Sequence, residues 1–313
     1  MPLSNEELLA DLDSVISIPV IPFANGGIDY EGHGCNIDYL LNKNYLDGGR
    51  RRVVGIAGTS LIHHISTADQ LKLMEFTGQH MGDCGLLMSG IAPNPIDEAE
   101  ALITEQCKLS RPPDVFLLMP LAGVADPEGI YQEFMAIVER LGGEHGARFL
   151  YYLRQSNQAD TAVRLINDSP YVLGVKIGTS PDDVASIVQD VNDGAGIVIW
   201  GIGDRSTGPA KSGTQGHTSG INILFARASD EINNAQRARD WSAAKAVEDK
   251  LTPLEEIRFR DNRRYNYSAV VEAIHLSGLD DIAAGDGGPF NPRVPQEVAD
   301  EVKRAIEPIL EYH

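Results

Sequence analysis

One lysine is set apart from the others by its neighbours. The sequence holds eight lysines, and all but Lys176 lie in helical or loop-like stretches beside polar residues. Lys176 instead lies among apolar, strand-forming residues in the stretch 171–179 (YVLGVKIGT), just before Gly178. Burial disfavours a charged amine and lowers its pKa. Such a lysine is neutral near pH 7 and can attack a ketone to form a Schiff base. A structural lysine that pairs with a carboxylate or snorkels to water is the alternative.

Two further stretches carry side chains suited to the same chemistry. Tyr151-Tyr152 ends another apolar run, and one of the two must face inward because side chains alternate along a strand. The segment 55–60 (GIAGTS) is rich in small residues, so its backbone N–H groups can approach a carboxylate. A lysine nucleophile, a tyrosine proton shuttle and an anion cradle are the parts that a Schiff-base enzyme acting on a 2-oxo acid requires.

Several polar clusters have less specific patterns. His63, His64, Asp204 and His217 follow strand-like runs, but no two of them have the fixed spacing of metal ligands, so we predict no metal site and no cofactor. Two basic runs, 50–52 (RRR) and 263–265 (RRY), are expected to be solvated or to contact another subunit.

The composition excludes several classes of partner. In 313 residues, 26 basic and 45 acidic side chains give a net charge of −19, which argues against binding to nucleic acid or to an anionic membrane. Cys35, Cys84 and Cys107 are an odd number without metal-ligand spacing, as expected for reduced thiols in a cytoplasmic protein. No apolar run has transmembrane length, and the acidic start does not resemble a signal peptide.

Strand-like and helix-like stretches alternate along most of the chain. Predicted strands cover 14–23, 53–57, 85–90, 115–120, 147–153, 173–177 and 196–200, with a weak eighth at 213–219. Helices are predicted between them, including 67–81 and 127–141, the latter ended by Gly142-Gly143. This order predicts a (β/α)₈ TIM barrel with its active site at the carboxyl ends of the strands. Residues 1–229 would form the barrel, and 230–313 a C-terminal helical extension.

The ordered set of these stretches resembles a known family. The chain is similar to the dihydrodipicolinate synthase and N-acetylneuraminate lyase family of class I aldolases. The similarity lies in 18–23 (IPVIPF) with its following GGID turn, 55–59 (GIAGT), 149–151 (FLY), 174–176 (GVK) and the glycine-rich 213–219 (GTQGHTS).

The resemblance implies roles for individual residues. Lys176 would be the imine-forming nucleophile and Tyr151 the phenol that relays protons. Ala57, Gly58 and Thr59 would hold the carboxylate of the 2-oxo acid. Arg154 and Thr218 would also bind substrate, with Arg154 in place of the arginine that grips the second substrate in the family.

The same resemblance implies a reaction and an assembly. The protein would condense pyruvate, or a longer 2-oxo acid, with an aldehyde, or cleave the product, as a homo-oligomer (dimer or tetramer). The family's two adjacent threonines are replaced by Ile56 and Ala57, and its tyrosine pair by Leu121-Ala122. These departures favour an alternative, a 2-keto-3-deoxy sugar-acid aldolase or dehydratase. A metal-dependent barrel enzyme and a non-catalytic binder of 2-oxo acids are further alternatives.

Overall fold

Eight parallel strands close into a barrel in the computed structural model, which describes residues 3–313. Around the barrel the strands follow one another in chain order, and two short strands, the second and third in the chain, form a separate antiparallel ribbon. The predicted (β/α)₈ fold is therefore confirmed. The strands are β1 (Val15–Ser17), β2 (Phe23–Ala24), β3 (Gly27–Ile28), β4 (Val53–Ile56), β5 (Leu86–Ile91), β6 (Val115–Leu118), β7 (Phe149–Leu153), β8 (Val172–Ile177), β9 (Ile197–Trp200) and β10 (His217–Ser219).

The first and last barrel strands are shorter than their sequence patterns predict. β1 ends at Ser17, because Pro19 and Pro22 have no N–H group to donate to a neighbouring strand. Residues 18–22 instead continue towards the mouth of the barrel and lead into the ribbon of β2 and β3. The other barrel strands agree with their predicted positions to within about two residues.

Helices cover the outside of the barrel and then continue as an extension. They are α1 (Asn5–Leu12), α2 (Tyr30–Asn42), α3 (Thr67–Met81), α4 (Ile96–Gln106), α5 (Pro127–His145), α6 (Ala159–Asp168), α7 (Val184–Asp190), α8 (Thr207–Lys211), α9 (Asn222–Arg237), α10 (Trp241–Arg263), α11 (Ser268–Ser277) and α12 (Gln296–Ile306). Helix α3 has the predicted bounds, and Ser66 caps it by accepting a hydrogen bond from the backbone N–H of Asp69. In residues 3–313, no helix is both long and apolar enough to cross a membrane.

Helix α5 continues past the predicted stop at Gly142-Gly143 and ends at Gly146, which has the left-handed φ of 71°. Gly142 is required by packing, because a Cβ atom at this position would lie 2.2 Å from the ring of Tyr171. Gly142 therefore allows Tyr171 to pack against the helix, and neither glycine ends it.

Helix α9 joins the barrel to the extension. It packs on β1 and β10 as the last helix of the outer ring, and the predicted division between residues 229 and 230 falls inside it. Helices α10, α11 and α12 then pack against one another. Near the end of α10, Asp261, Asn262 and Arg263 all have positive φ, so the backbone turns sharply there.

Arg50 and Arg52 of the basic run before β4 are buried, contrary to the prediction of a solvated or subunit-contacting segment, while Arg51 between them is half-buried and pairs with Asp11. Arg52 is 2% exposed, and its guanidinium donates two hydrogen bonds, of 2.8 and 2.6 Å, to the carboxylate of Asp230. Arg50 donates to the side chain of Asn233 and to the carbonyl of Asp13. These arginines connect the amino-terminal ends of the strands to helix α9.

Candidate active site

A cavity of about 480 Å³ opens at the carboxyl ends of the barrel strands. Its lining comes from the barrel loops and from the end of helix α10. The lining residues are Ile18, Gly58, Thr59, His63, Met119, Pro120, Leu121, Tyr152, Arg154, Gln155, Lys176, Gly201, Gly203, Thr218, Ser219, Gly220, Arg258, Phe259, Arg263 and Asn266.

Lys176 extends from β8 into this cavity and is only 6% exposed. Its side chain lies across Gly201, where a Cβ atom would come within 2.8 Å of the lysine Cγ. The ammonium nitrogen, Nζ, is 4.2 Å from the centre of the Tyr152 ring. Burial lowers the pKa of Lys176; Tyr152 opposes this change, and the positive charge of Arg154 adds to it. A larger fraction of this lysine is therefore neutral than of an exposed lysine at the same pH.

Tyr152, and not Tyr151, faces the cavity. Tyr151 lies on the outer side of β7, where its ring packs edge-on against Phe134 of α5 and its hydroxyl donates to Oε1 of Gln158 at 2.9 Å. Burial raises the pKa of the Tyr151 phenol. The prediction that Tyr151 contributes to the site is therefore wrong in its placement, because the tyrosine is enclosed between the barrel and its helices.

The register of the barrel explains this difference. Tyr152 pairs with Lys176, whereas Tyr151 pairs with Val175. Residues at the same level of neighbouring strands present their side chains to the same face, so Tyr152 and Lys176 both face inward. Gly178 makes room for this arrangement, because a Cβ atom there would lie 2.5 Å from the Tyr152 ring and 2.8 Å from Cδ of Arg154.

Arg154 contacts the cavity-facing tyrosine directly. Its Nη1 donates a hydrogen bond of 3.1 Å to the hydroxyl of Tyr152. Because that hydroxyl accepts from Arg154, its own proton remains free to be donated into the cavity. Arg154 is half-buried and lines the cavity, and its role in binding substrate stays a prediction.

The residues predicted to hold a carboxylate line the cavity only in part. Gly58, Thr59 and Thr218 line the cavity. Ala57 does not line the cavity, so the prediction that it holds the carboxylate is wrong. It packs towards β5, where a Cβ atom on Gly90 would lie 2.7 Å from that of Ala57. The hydroxyl of Thr59 makes a long hydrogen bond of 3.4 Å to the carbonyl of Ile18.

The end of α10 contributes residues that the sequence did not assign to the site. Arg258, Phe259, Arg263 and Asn266 line the cavity, although they follow the last barrel strand by about forty residues. Arg263 belongs to a run predicted to be solvated or to contact a subunit; it is half-buried and lines the cavity, a placement that the sequence did not indicate. No spacing motif connects these positions to Lys176. The richness in arginine between 258 and 264 was the only available signal.

A buried polar network lies behind the cavity between β9, β10 and α9. Asp204 is fully buried and accepts hydrogen bonds from Ser219, at 2.6 Å, and from His217, at 3.2 Å. Burial favours a high pKa for Asp204, but these partners outweigh it and lower the pKa. Within residues 3–313, no group of three or more His, Cys, Asp or Glu side chains has an arrangement that could hold a metal ion.

Comparison with known proteins agrees with the fold. The model of the dihydrodipicolinate synthetase family matches residues 11–307. A 4-hydroxy-tetrahydrodipicolinate synthase of Stutzerimonas stutzeri is 23% identical over 269 residues, covering 85% of this chain and 88% of the relative.

Two solved structures have the same fold. The dihydrodipicolinate synthase of Bacillus clausii has a TM-score of 0.85 and 21% identity, covering 96% of this chain and 99% of its own. The enzyme of Acinetobacter baumannii, solved in complex with pyruvate, has a TM-score of 0.80 and 20% identity, covering 96% of this chain and 99% of its own. With the family match across nearly the whole barrel, this chain belongs to the dihydrodipicolinate synthetase family and is an enzyme of the lyase type.

Proposed function

We propose that the protein forms an imine between Lys176 and pyruvate, or a longer 2-oxo acid, and joins the resulting enamine to an aldehyde or runs the reverse cleavage. The observation that carries this proposal is the buried Lys176, whose Nζ lies 4.2 Å from the centre of the Tyr152 ring inside the cavity. The family match and the pyruvate complex of a relative with the same fold support the choice of 2-oxo acid.

The chemistry begins with the neutral amine. Nζ of Lys176 attacks the C2 carbonyl carbon, and the tetrahedral adduct loses water to give a protonated imine. The positive imine nitrogen then accepts the electrons left when a proton leaves C3, which produces an enamine. The enamine carbon attacks the carbonyl carbon of the aldehyde, and water finally releases the product and regenerates the free lysine.

Tyr152 is suited to moving protons in these steps. Its hydroxyl is fixed by the hydrogen bond from Arg154 and faces the same cavity as Lys176. We assign to it the transfer of a proton to the departing hydroxyl of the adduct and to the new alkoxide after carbon–carbon bond formation. Tyr152 thus takes the role that the resemblance implied for Tyr151.

The remaining predicted residues bind substrate in this proposal. Gly58 and Thr59 face the carboxylate of the 2-oxo acid, Thr218 contacts it from the β10 side, and Arg154 is available to the second substrate. A homo-oligomer remains a prediction. Its measurement is the molar mass in solution by light scattering.

Borohydride trapping tests the proposed function. The protein is incubated with pyruvate, reduced and digested, and the peptide that carries Lys176 is analysed by mass spectrometry. We expect the mass of reduced pyruvate on Lys176 and no adduct in a Lys176→Met variant. The control Lys211→Met, on helix α8, should retain the adduct. If neither pyruvate nor longer 2-oxo acids give an adduct on Lys176, the proposed function is wrong. Saturable pyruvate binding without an adduct would indicate a non-catalytic binder.

A further inference from the structure

We propose that the part of the cavity beneath helix α10 is a subsite for an oxyanion, a carboxylate or phosphate, at the end of the substrate distant from Lys176. Arg258 and Arg263 are its specificity-determining residues. This inference rests on the proposed function only for the identity of the reacting end of the substrate. The anion subsite itself is argued from the side chains of the extension.

The charge of the cavity is opposite to that of the protein. The whole chain carries a net charge of −19. Among the described residues that line the cavity, Arg154, Lys176, Arg258 and Arg263 are basic and none is acidic. A concave, positively lined site in an acidic protein attracts anions selectively, because the rest of the surface repels them.

Arg258 is fixed by hydrogen bonds that leave some of its N–H groups unused. Its side chain is 2% exposed and donates three hydrogen bonds. Nη1 donates to Glu255 at 2.6 Å, Nη2 to the side chain of Asn266 at 2.7 Å, and Nε to the backbone carbonyl of Asn266 at 3.3 Å. A guanidinium has five N–H groups. Two therefore have no acceptor among residues 3–313, while the group itself is fixed at the cavity wall beside Gly220.

Glu255 positions Arg258 through a buried ion pair of 2.6 Å, and the positive charges of Arg154, Lys176 and Arg263 in the lining remain without a carboxylate partner among the described residues. Its carboxylate is completely buried behind the lining, and its Oε2 atom has no hydrogen-bond partner among the described residues. Burial raises the pKa of Glu255; Arg258 opposes that change, and the charge of Asp204 adds to it. A fixed guanidinium above a buried carboxylate of this kind is prearranged for a ligand and needs little reordering to bind one.

Arg263 is the second basic group of the subsite. It is half-buried, its side chain lies over the Phe259 ring at 5.8 Å, and it has no acidic partner within residues 3–313. The successive positive φ angles of Asp261, Asn262 and Arg263 reverse the backbone at the end of α10. This turn places Arg263 at the cavity, on the same side as Arg258.

Two arginines with free donors select for planar or tetrahedral oxyanions. Guanidinium groups bind carboxylate and phosphate oxygens through paired, charge-assisted hydrogen bonds. The cavity of about 480 Å³ lies within the usual size range of small-molecule sites, roughly 300–1,000 Å³, so it can contain an imine-bound acid together with a longer anionic chain. An uncharged polyhydroxyl chain would leave Arg263 without a counter-charge, whereas Arg258 already pairs with Glu255.

Anion binding by matched arginine variants tests the subsite. Arg263→Asn removes the guanidinium and keeps a residue that tolerates positive φ. Arg264→Asn is the control, because Arg264 is exposed and does not line the cavity. Calorimetry with inorganic phosphate and with succinate, at constant ionic strength, should show one saturable site for at least one of them. We expect binding about tenfold weaker or more in Arg263→Asn and unchanged in Arg264→Asn, with equal melting temperatures for the two variants.

The same variants distinguish this inference from the imine proposal. Absence of saturable binding, or equal effects of the two substitutions, would overturn the subsite. If Arg263→Asn alone weakens anion binding but pyruvate gives no adduct on Lys176, the subsite stands and the proposed function fails. If the adduct forms on Lys176 but Arg263→Asn does not weaken anion binding, the proposed function stands and the subsite fails. Preference for phosphate over succinate assigns a phosphorylated substrate, and the opposite preference assigns a dicarboxylate.

Discussion

Tyr151 and Tyr152 are adjacent on β7 but have opposite surroundings. Tyr152 shares the cavity with Lys176 and Arg154, while Tyr151 packs against Phe134 and bonds to Gln158. These adjacent residues face opposite sides of β7. Tyr152 is placed to reach substrate, whereas Tyr151 fills the space between the barrel and its helices. The consequences of removing the two hydroxyl groups should therefore be different in kind.

Replacing each tyrosine by phenylalanine tests this assignment. Tyr152→Phe should lower turnover by about 10²- to 10⁴-fold, the usual contribution of a general acid or base, with little change in stability. Tyr151→Phe should leave turnover nearly unchanged but lower the free energy of unfolding by about 1–2 kcal/mol, because Gln158 loses a buried partner. Steady-state kinetics and urea unfolding provide the two measurements. Loss of turnover in Tyr151→Phe would reverse the assignment.

The sequence alone identifies Lys176 as the candidate nucleophile, but it does not show which of Tyr151 and Tyr152 faces it. Lys176 is recognisable because it interrupts an apolar strand. Alternation along β7 shows that one of the two tyrosines faces inward, but the choice depends on the pairing of β7 with β8. That register includes an irregularity between Phe149 and Leu150, which no local pattern encodes.

Burial is the main cause of the lowered pKa of Lys176, and the charge of Arg154 should shift the pH dependence of imine formation further. This charge helps to lower the pKa of buried Lys176, and only the neutral amine attacks the ketone. The trapping rate should therefore rise with pH through the pKa of Lys176. In Arg154→Met the pKa should increase, so the midpoint of this rise should move to higher pH. Arg154→Lys retains the charge and should stay close to the parent. A midpoint that is equal in all three proteins would exclude this electrostatic effect.

At the scale of elements, helix α5 shows how packing overrides a local stop signal. Two adjacent glycines usually weaken or end a helix, yet α5 continues through them to His145. Tyr171 occupies the space beside Gly142. The ring thus fixes the distance between α5 and the start of β8, the strand that carries Lys176.

Alanine substitutions at the two glycines should have opposite effects. Gly142→Ala should destabilise the protein by about 1–2 kcal/mol, because the added methyl overlaps the Tyr171 ring and outweighs the gain in helix propensity. Gly143→Ala is the control, since its Cβ atom would lie 3.9 Å from the Tyr171 hydroxyl. It should stabilise by up to about 1 kcal/mol. Thermal unfolding of both variants measures the difference, and equal signs would contradict this explanation.

Most of the barrel was predictable because its elements are encoded locally. Buried strands such as β7 and β8 appear as apolar runs, and the cap Ser66 marks the start of α3. The path of α10 to the cavity was not predictable, because it depends on how the extension packs. The local sequence around Arg258 and Arg263 resembles any arginine-rich surface helix.

At the scale of the whole molecule, one ion pair connects the early and late parts of the barrel. Arg52 precedes β4, and Asp230 lies on α9, the helix that follows the last strand. Both side chains are buried, and Asp230 also accepts a hydrogen bond of 2.8 Å from the backbone of Tyr45. The pair therefore supports the closure of the ring of helices around the strands.

Breaking this pair should be costly. Asp230→Ala leaves the Arg52 charge buried without its partner, so we expect the free energy of unfolding to fall by about 3–5 kcal/mol. Glu231→Ala is a matched control on the same helix. It removes a partly exposed carboxylate that pairs with Arg227, and should change stability by less than about 0.5 kcal/mol. Chemical unfolding distinguishes them, and a similar small change in both would show that the buried pair contributes little.

The cavity wall combines the strands and loops of the barrel with a segment that comes much later in the chain. Lys176 and Tyr152 are on barrel strands, whereas Arg258 and Arg263 come from helix α10, eighty or more residues after Lys176. Natural or directed evolution can therefore change the turn at the end of α10, and with it the choice of substrate, without replacing Lys176 or Tyr152. A library restricted to positions 258–266 would explore new acceptors without putting the nucleophile at risk. Conversely, removing the extension to obtain a smaller catalyst would open one side of the reaction chamber to water.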